Sequence, residues 1–499
     1  MIELTIGEIA DITGASPIGG VDLQQPVQGP VEFDSRKVSQ GSIFMALPGA
    51  SVDGHDFVPK ALESGAALAL VGRTVDAPAL VAEPVALSDE ASNASAFEYD
   101  SEGHGAAVIA AIDALARYNT DHLKDKGMSV VAVTGSAGKT STKDFLGSVL
   151  ELAGDIVAPP GSFNNEIGLP YTALRATEST RFLVLEMSAR GVGHIKHLTQ
   201  VTPPNIGVVL NVGTAHLGEF GSREAIAQAK GELVEALPET GVAILNADDP
   251  KVLAMQERTT ARVVTFSAEG RTDATYYAAN VVLDDMTRPS FSLHHPDGVV
   301  DITLSVHGEH QVSNALAAIA VGMEAGLSAE DVARAVSGHT ATSERRMDVK
   351  TRARDRVTVI NDSYNANPES MRAGLHALAF TTSHRDNGHS WAVLGQMGEL
   401  GDEATEEHEA LGRAVAEFGI QNLVVVGTGV NQLALAEAAD AAGVKTTTVE
   451  STDAAINYVD LEVQEDDVVL VKASYSDALW EVADGLLMGE TIVDPGKDK

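Results

Sequence analysis

The stretch VVAVTGSAGKTSTKDFLGSVL, residues 130–150, constrains the fold of this chain more than any other. An apolar run gives way to a short glycine loop, and Lys139 and Thr140 then open a helical pattern. The spacing predicts a strand over 129–133 and a helix from 139 to about 153. Further strand candidates are RFLVLEM (181–187), NIGVVLNV (205–212) and GVAILN (241–246), alternating with helical patterns such as SREAIAQAKGELVEAL (222–237). Strands alternating with helices imply a mostly parallel sheet with crossover helices.

The same alternation returns after a seam near SGHTATSERRMDVK (337–350), with strand candidates VTVIND (357–362), HSWAVLG (389–395), NLVVVG (422–427) and DVVLVKA (467–473). The polar segment LSDEASNASAFEYDSEGHG (87–105) reads as a linker ahead of a helical run from 106 to about 124. The residues before it form a smaller mixed unit containing FDSRKVSQGSIFMALPG. The fold expected is α/β in three domains, 1–100, 101–338 and 339–499. That count agrees with a length of 499 residues at roughly one domain per 150.

Composition excludes several classes. Hydrophobic residues make up 44%, enough for sizeable cores. With no cysteine there is no disulfide, thiol nucleophile or cysteine metal site. The N-terminus carries Glu3 and Glu8 and no basic start, unlike a secretory signal. The longest apolar run, near 106–116, is too short to span a bilayer and contains Asp113. A formal charge of −37, from 34 basic and 71 acidic residues, argues against nonspecific nucleic-acid binding and anionic membranes. A cytoplasmic protein with no nucleic-acid partner and no membrane insertion is expected, monomeric by default. An anionic substrate would need a local cationic or amide-lined pocket to overcome the overall repulsion.

The loop Gly135-Ser136-Ala137-Gly138-Lys139-Thr140, with Ser141 beyond it, has that character. It has two residues between its glycines where the full phosphate-loop pattern has four. The strand before and helix after are nevertheless the right context. Glycines let backbone N–H groups wrap a phosphate, Lys139 would reach the terminal phosphates, and the Thr140 hydroxyl would meet Mg²⁺. An ordinary turn with an exposed lysine is the competing reading.

Together with other motifs the loop is recognisable. TGSAGKTSTK, SFNNEIGLPYTAL (162–174), LVLEMSARGVGHI (183–195), NVGTAHLGEFGS (211–222) with Lys230 beyond it, GEHQVSNALAAIA (308–320) and NDSYNANPESM (361–371) resemble the Mur ligases. DSR (34–36), PGASVDGHDF (48–57), GQMGELG (395–401) and LVKASY (470–475) extend the resemblance over nearly the whole chain. It implies an N-terminal domain that holds the UDP end of the substrate, a central ATPase-like domain and a C-terminal Rossmann-like domain. It implies an ATP-dependent amide ligase of peptidoglycan synthesis that works through an acyl phosphate. NNEIGLP and DSYNANP point to UDP-N-acetylmuramoyl-tripeptide and D-alanyl-D-alanine as the two substrates joined.

Site residues follow from the same resemblance. Gly135 to Ser141, Asn314, Arg346 and Asp362 would bind ATP, with Arg346 at the γ-phosphate. Asn246 and Asp249 are weaker candidates. Mg²⁺, as two ions, would be held by Thr140, Glu186, His216 and a carbamylated Lys230. Ser35 and Arg36 would meet the uridine diphosphate, and Asn164 and Asn165 the sugar-peptide. Lys139, Lys230, His216 and Arg346 are the expected catalytic set.

From the residues alone, plainer readings stand beside these. Glu186 could be a strand-end surface acid, Lys230 a solvated lysine, and His216 a structural histidine, since imidazole is an unusual ligand for Mg²⁺. His310 could cap a helix. Asp362, Tyr364, Asn365 and Asn367 could be turn residues.

Two decoys read as ordinary structure. Gly427-Thr428-Gly429 lacks the third glycine of a dinucleotide loop, and the acidic run 401–410 reads as a solvated helix start favoured by the helix dipole. Two departures from the family stand out. Lys472-Ala473-Ser474-Tyr475 replaces KGSR, and GQM at 395–397 replaces GDM. Competing functions are a Mur-type or folylpolyglutamate-type ligase with a different amine, or a noncatalytic nucleotide-binding sensor.

Overall fold

The computed structural model describes residues 1–85, 100–159, 161–214 and 217–493. Its central element is a nine-stranded sheet. The order is Gly298–Thr303, Pro289–His295, Tyr276–Leu283, Arg262–Ser267, Val242–Asn246, Ile206–Val209, Ser129–Thr134, Phe182–Glu186, Ile156–Val157. From Ile156–Val157 to Tyr276–Leu283 all pairings are parallel. The parallel strands of its middle are runs of buried apolar residues, as expected where helices cover both faces. The last two strands join antiparallel, a feature the sequence reading did not include. There the burial alternates along Tyr276–Leu283 and Pro289–His295, so each strand buries one face only.

The C-terminal unit is a seven-stranded sheet in the order Lys445–Val449, Asn422–Val426, Ser390–Leu394, Val468–Lys472, Thr358–Asn361, Asp348–Arg352, Ile492–Val493. The first five are parallel and the last two antiparallel. The N-terminal residues form a five-stranded mixed sheet and a two-stranded antiparallel pair, Leu4–Thr5 with Pro26–Val27. Residues 87–99 of the expected linker lie outside the described residues. The helix expected from 106 spans His104–Asp125. Among the described residues no helix is long and apolar enough to cross a membrane.

One apolar core runs from the N-terminal strands through the helix His104–Asp125 to one face of the central sheet. The other face packs on Lys139–Leu150, Gln311–Glu324 and Ala329–Gly338. Separate cores lie on the two faces of the C-terminal sheet.

Asn119 joins the first two units. It is fully buried on the helix His104–Asp125. Its Oδ1 accepts from Ile2 N at 3.0 Å, and its Nδ2 donates to the carbonyls of Ala173 and Ala176 at 3.1 and 3.2 Å. Buried backbone groups left unpaired are costly. Asn119→Ala strands three of them, and we expect it to lower unfolding stability by about 2–3 kcal/mol, read as an earlier denaturant midpoint. A midpoint matching wild type would mean that water replaces the amide.

Candidate active site

The strand Ser129–Thr134 sits between Ile206–Val209 and Phe182–Glu186, and the C-terminal ends of these parallel strands meet at one edge. Ligand sites of open parallel sheets form at this edge. The loop after Ser129–Thr134 turns at Gly138, whose φ is +85°, and enters the helix Lys139–Leu150. A side chain at Gly138 would be strained at that φ and would collide with Asn314 Oδ1. Lys139 Nζ donates to the Gly135 carbonyl at 2.6 Å, closing the loop on itself.

Asn211, which the sequence reading left without a role, clamps the loop from the neighbouring strand. Its Oδ1 accepts from Ala137 N at 2.9 Å and its Nδ2 donates to the Ala137 carbonyl at 3.2 Å. Ser136 Oγ accepts from Gly213 N at 2.9 Å. The only signal was its place, the first residue of NVGTAH after a strand.

Glu186 ends the next strand with no exposed surface. The Thr140 hydroxyl donates to its Oε2 at 3.2 Å, while Oε1 is buried without a partner. Burial pushes its carboxyl pKa up, opposed by the charges of Arg346, Lys139 and Lys143. Ser162, also missed, lies 3.0 Å from the Thr140 hydroxyl and accepts from Arg346 Nη2 at 3.0 Å. Arg346 Nε is buried and unpartnered, and its guanidinium stands 4.1 Å from the Tyr364 ring centre.

Lys230 is buried on the helix Arg223–Glu235. Burial first, and then the nearby Lys139 ammonium, push its pKa well below the ordinary lysine value. His216 lies outside the described residues. Among the described residues no three His, Asp or Glu side chains converge as a ready metal cluster. The orphaned Glu186 oxygen beside a hydroxyl nevertheless fits a hard cation, which prefers oxygen ligands.

A cavity of about 650 Å³ gathers much of the expected set: Ser136 to Ser141, Asn164, Asn165, Glu186, Asn314, Arg346 and Asp362. Arg190, Arg223, Tyr364 and Lys472 line it too. Gly135, Lys230, Ser35 and Arg36 are not in its wall. Arg36 projects into solvent and pairs with Asp34 at 2.8 Å, which holds the Asp34 carboxyl at about 2.

Several side chains in the wall are already occupied. Asn314 donates to Gln311 Oε1 at 2.9 Å and supports Gly138 from beneath. Asn165 Oδ1 accepts from Ile167 N and Gly168 N at the start of the helix Gly168–Ala173. Asp362 Oδ2 accepts from Lys472 at 2.6 Å and its Oδ1 from Met347 N at 3.2 Å. Asn367 caps the helix Pro368–Ser383. Asp249 caps Pro250–Leu253, while Asn246, outside the wall, donates to the Leu210 carbonyl. His310 precedes Gln311–Glu324 but makes no side-chain capping bond.

His55, within GASVDGHDF, is buried; its Nδ1 donates to Asp53 Oδ1 at 2.6 Å and its Nε2 accepts from Gly72 N at 2.9 Å, a structural arrangement. Gln432 packs against Gly427 and Gly429, filling the space of a dinucleotide loop. Glu406 and Glu407 stand in the first turn of Ala404–Glu417.

The central and C-terminal units meet across the cavity. Thr214 N and Oγ1 donate to Glu369 Oε1 at 2.7 and 2.9 Å, and Arg190 pairs with Glu399 at 2.8 Å.

Three family descriptions match the chain: Mur ligase family, catalytic domain, at 30–117; Mur ligase middle domain at 133–322; and Mur ligase, glutamate ligase domain, at 345–475. The chain is 48% identical over 510 residues to the UDP-N-acetylmuramoyl-tripeptide–D-alanyl-D-alanine ligase of Mycobacterium tuberculosis, covering 98% of this chain and 99% of that one. It is 31% identical to the Escherichia coli enzyme of the same name, covering 97% and 99%. Among solved structures, MurF from Acinetobacter baumannii superposes with a TM-score of 0.81 at 28% identity, over 97% of this chain and 99% of that one. MurF ligase from Thermotoga maritima in complex with ADP gives 0.73 at 27% identity, over 92% and 96%.

The lowered Lys230 pKa sets a pH dependence. The unfolded chain binds that proton more readily than the folded one. Native stability therefore rises with pH between the lowered folded value and the ordinary value of 10.5. In CO₂-free buffer, Lys230→Met should melt above wild type at pH 7, with the gap shrinking toward pH 10. Calorimetry showing the variant less stable at both pH values would mean that the amine has a compensating partner.

Proposed function

This chain belongs to the Mur ligase family, and we propose that it joins D-alanyl-D-alanine to UDP-N-acetylmuramoyl-tripeptide with the hydrolysis of ATP to ADP and phosphate. One observation carries this reading beyond the sequence relationship. A single cavity receives the phosphate loop and Glu186 from the central sheet, Arg346 from the seam, and Tyr364 and Asp362 from beyond it.

A carboxylate is a poor electrophile. Its oxygen attacks the γ-phosphorus of ATP, the bond to ADP breaks, and an acyl phosphate forms. The unprotonated amine of D-alanyl-D-alanine then attacks the acyl carbon. An amide forms, phosphate leaves with the bonding electron pair, and the amine proton is released. Both steps crowd anions, so fixed donors aimed at the phosphates do most of the work.

Here the loop N–H groups and Lys139 cradle the triphosphate, and Lys139 exchanges the Gly135 carbonyl for a phosphate oxygen. Arg346 reaches the γ-phosphate from the opposite wall. Asn314 acts on the nucleotide indirectly, by shaping Gly138. Asp362, tied to Lys472 and Met347 N, holds the facing loop in place. Asn164 and the free amide nitrogen of Asn165 face the sugar-peptide, and Ser35 and Arg36 meet its uridine diphosphate.

Thr140 and Glu186, with His216 and a carbamylated Lys230, would hold Mg²⁺, which supplies charge neutralisation at the phosphates. Burial favours the neutral Lys230 amine that carbamylation requires. The amine attacks CO₂, loses a proton, and turns a cation into an anionic oxygen ligand. We read the protein as a cytoplasmic monomer of three domains divided near 100 and 338, placed where ATP and UDP-linked precursors occur.

Phosphate release should require both UDP-N-acetylmuramoyl-tripeptide and D-alanyl-D-alanine, and single amino acids should not replace the dipeptide. Turnover with glutamate and none with the dipeptide would support the folylpolyglutamate-type alternative instead. Lys139→Ala should lower kcat by about 10³-fold or more. Lys230→Ala should be comparably impaired and partly rescued by a short-chain carboxylate. A Lys230→Ala enzyme at wild-type rate would remove the carbamate from the mechanism.

A further inference from the structure

We propose that Tyr475 and Trp480 are positioning residues that hold Arg346 on Ser162, across the cavity from the phosphate loop, a role that rests on the reaction proposed above. Neither residue lines the cavity.

Arg346 sits between two non-glycine residues in the left-handed region, Arg345 at φ +62° and Met347 at φ +52°. Residues with side chains avoid this region, and two of them around one residue persist only where the surroundings over-determine the backbone. The facing loop supplies that support. Tyr364 N donates to the Arg345 carbonyl at 3.1 Å, and Met347 N donates to Asp362, which Lys472 in turn holds.

The side chains add a second restraint. Arg346 stacks on Tyr364 at 4.1 Å. Tyr364 meets Tyr475 at 5.6 Å between ring centres, and Tyr475 meets Trp480 at 4.6 Å. Trp480 lies under the Arg345 guanidinium at 4.3 Å. Since Arg345 and Arg346 are consecutive, the five side chains close a ring. Two adjacent arginines clasp three aromatic rings. Ala478, at φ +52°, turns the chain between Tyr475 and Trp480 so that both rings face the clasp.

A planar guanidinium held over an aromatic face keeps less rotational freedom, so less is lost when it meets an anion. The clasp leaves Arg346 Nη2 on Ser162 and its Nε buried and unpartnered. That is a cation preset for a phosphoryl group that develops charge. Tyr475 is 54% exposed, too open for a core residue. At this position the chain supplies a ring that acts through an arginine from the seam.

Steady-state kinetics on the full chain test this. Tyr475→Ala should lower kcat about tenfold, with KM for the UDP-tripeptide and for the dipeptide within about twofold. Tyr475→Phe should recover most of the loss, because the ring face does the work. In an Arg346→Lys background, Tyr475→Ala should cost less than about twofold, since the group it acts on is gone. If Tyr475→Ala does not fold, Arg345→Met tests the same non-additivity from the other end of the ring. Equal losses in both backgrounds overturn the proposal. So does a Phe variant as impaired as Ala, or an effect confined to KM. A wild-type enzyme that releases no phosphate with the dipeptide would instead overturn the reaction itself, so the two failures are distinguishable.

Discussion

Glu186 imposes the constraint around which the site is arranged. It is a carboxylate without exposed surface at the end of a central strand, with one oxygen engaged by Thr140 and the other unmatched. Burying such a group is costly unless opposite charge stands close. The nearby charges are Arg346, Lys139 and Lys143, and they only partly offset the burial, since its pKa remains raised. The local charge is thus out of balance. A cation at the free oxygen would relieve Glu186, and a polyanion would relieve Lys139 and Arg346. A metal–nucleotide complex supplies both together, which is why a site strained in isolation is suited to that ligand.

The two walls of this site belong to different sheets, and among the described residues they are joined by polar contacts and by the close backbone packing of Gly218 on Gly401. Thr214 with Glu369, Arg190 with Glu399, and Arg346 with Ser162 are polar contacts at partly exposed positions. Such contacts contribute about 1 kcal/mol or less each. The apolar cores are separate on either side of the seam. Ligand binding that engages both walls therefore has a shallow equilibrium to act on. The rigid parts are local: the Asn211 clamp on one wall, and Lys472 with Asp362 on the other. Each wall is thus preorganised by its own local contacts.

Most parallel strands were legible because each is a short apolar run followed by a helical pattern, and the two periods differ. The antiparallel edge at 276–303 was not, because its alternation is interrupted by a register shift between Ala279 and Val282. In the site, Lys139, Thr140 and Glu186 could be placed because strand ends and glycine loops fix where a side chain must point. Asn211 and Ser162 could not. Nothing in their local sequence separates an asparagine that clamps a loop across strands from one that merely ends a strand. For Asn367 the plainer turn reading describes much of what its side chain does, since it caps the helix Pro368–Ser383. Lys230 is the reverse case. Its alanine-rich helix suggests solvent, and only the packing of that helix on the sheet reveals a buried amine.

The charge balance poses a last question, since a chain of net charge −37 is assigned anionic substrates. At physiological ionic strength charges are screened over about 8 Å, so most surface acids are not felt inside a cavity. What a phosphate meets there is Lys139, Arg346, Arg190, Arg223, Lys472 and a row of N–H groups at short range, beside Glu186, Asp249, Asp362, Glu369 and Glu399, each of which already accepts a hydrogen bond or pairs with a cation. The surface acidity thus acts mainly on encounter, slowing the approach of anions at low salt, while the local donors govern the bound state. Adding salt should then affect association and affinity in opposite directions, because it screens the distant repulsion before it weakens the buried contacts. The overall charge and the site's preference are therefore compatible, being set at different distances.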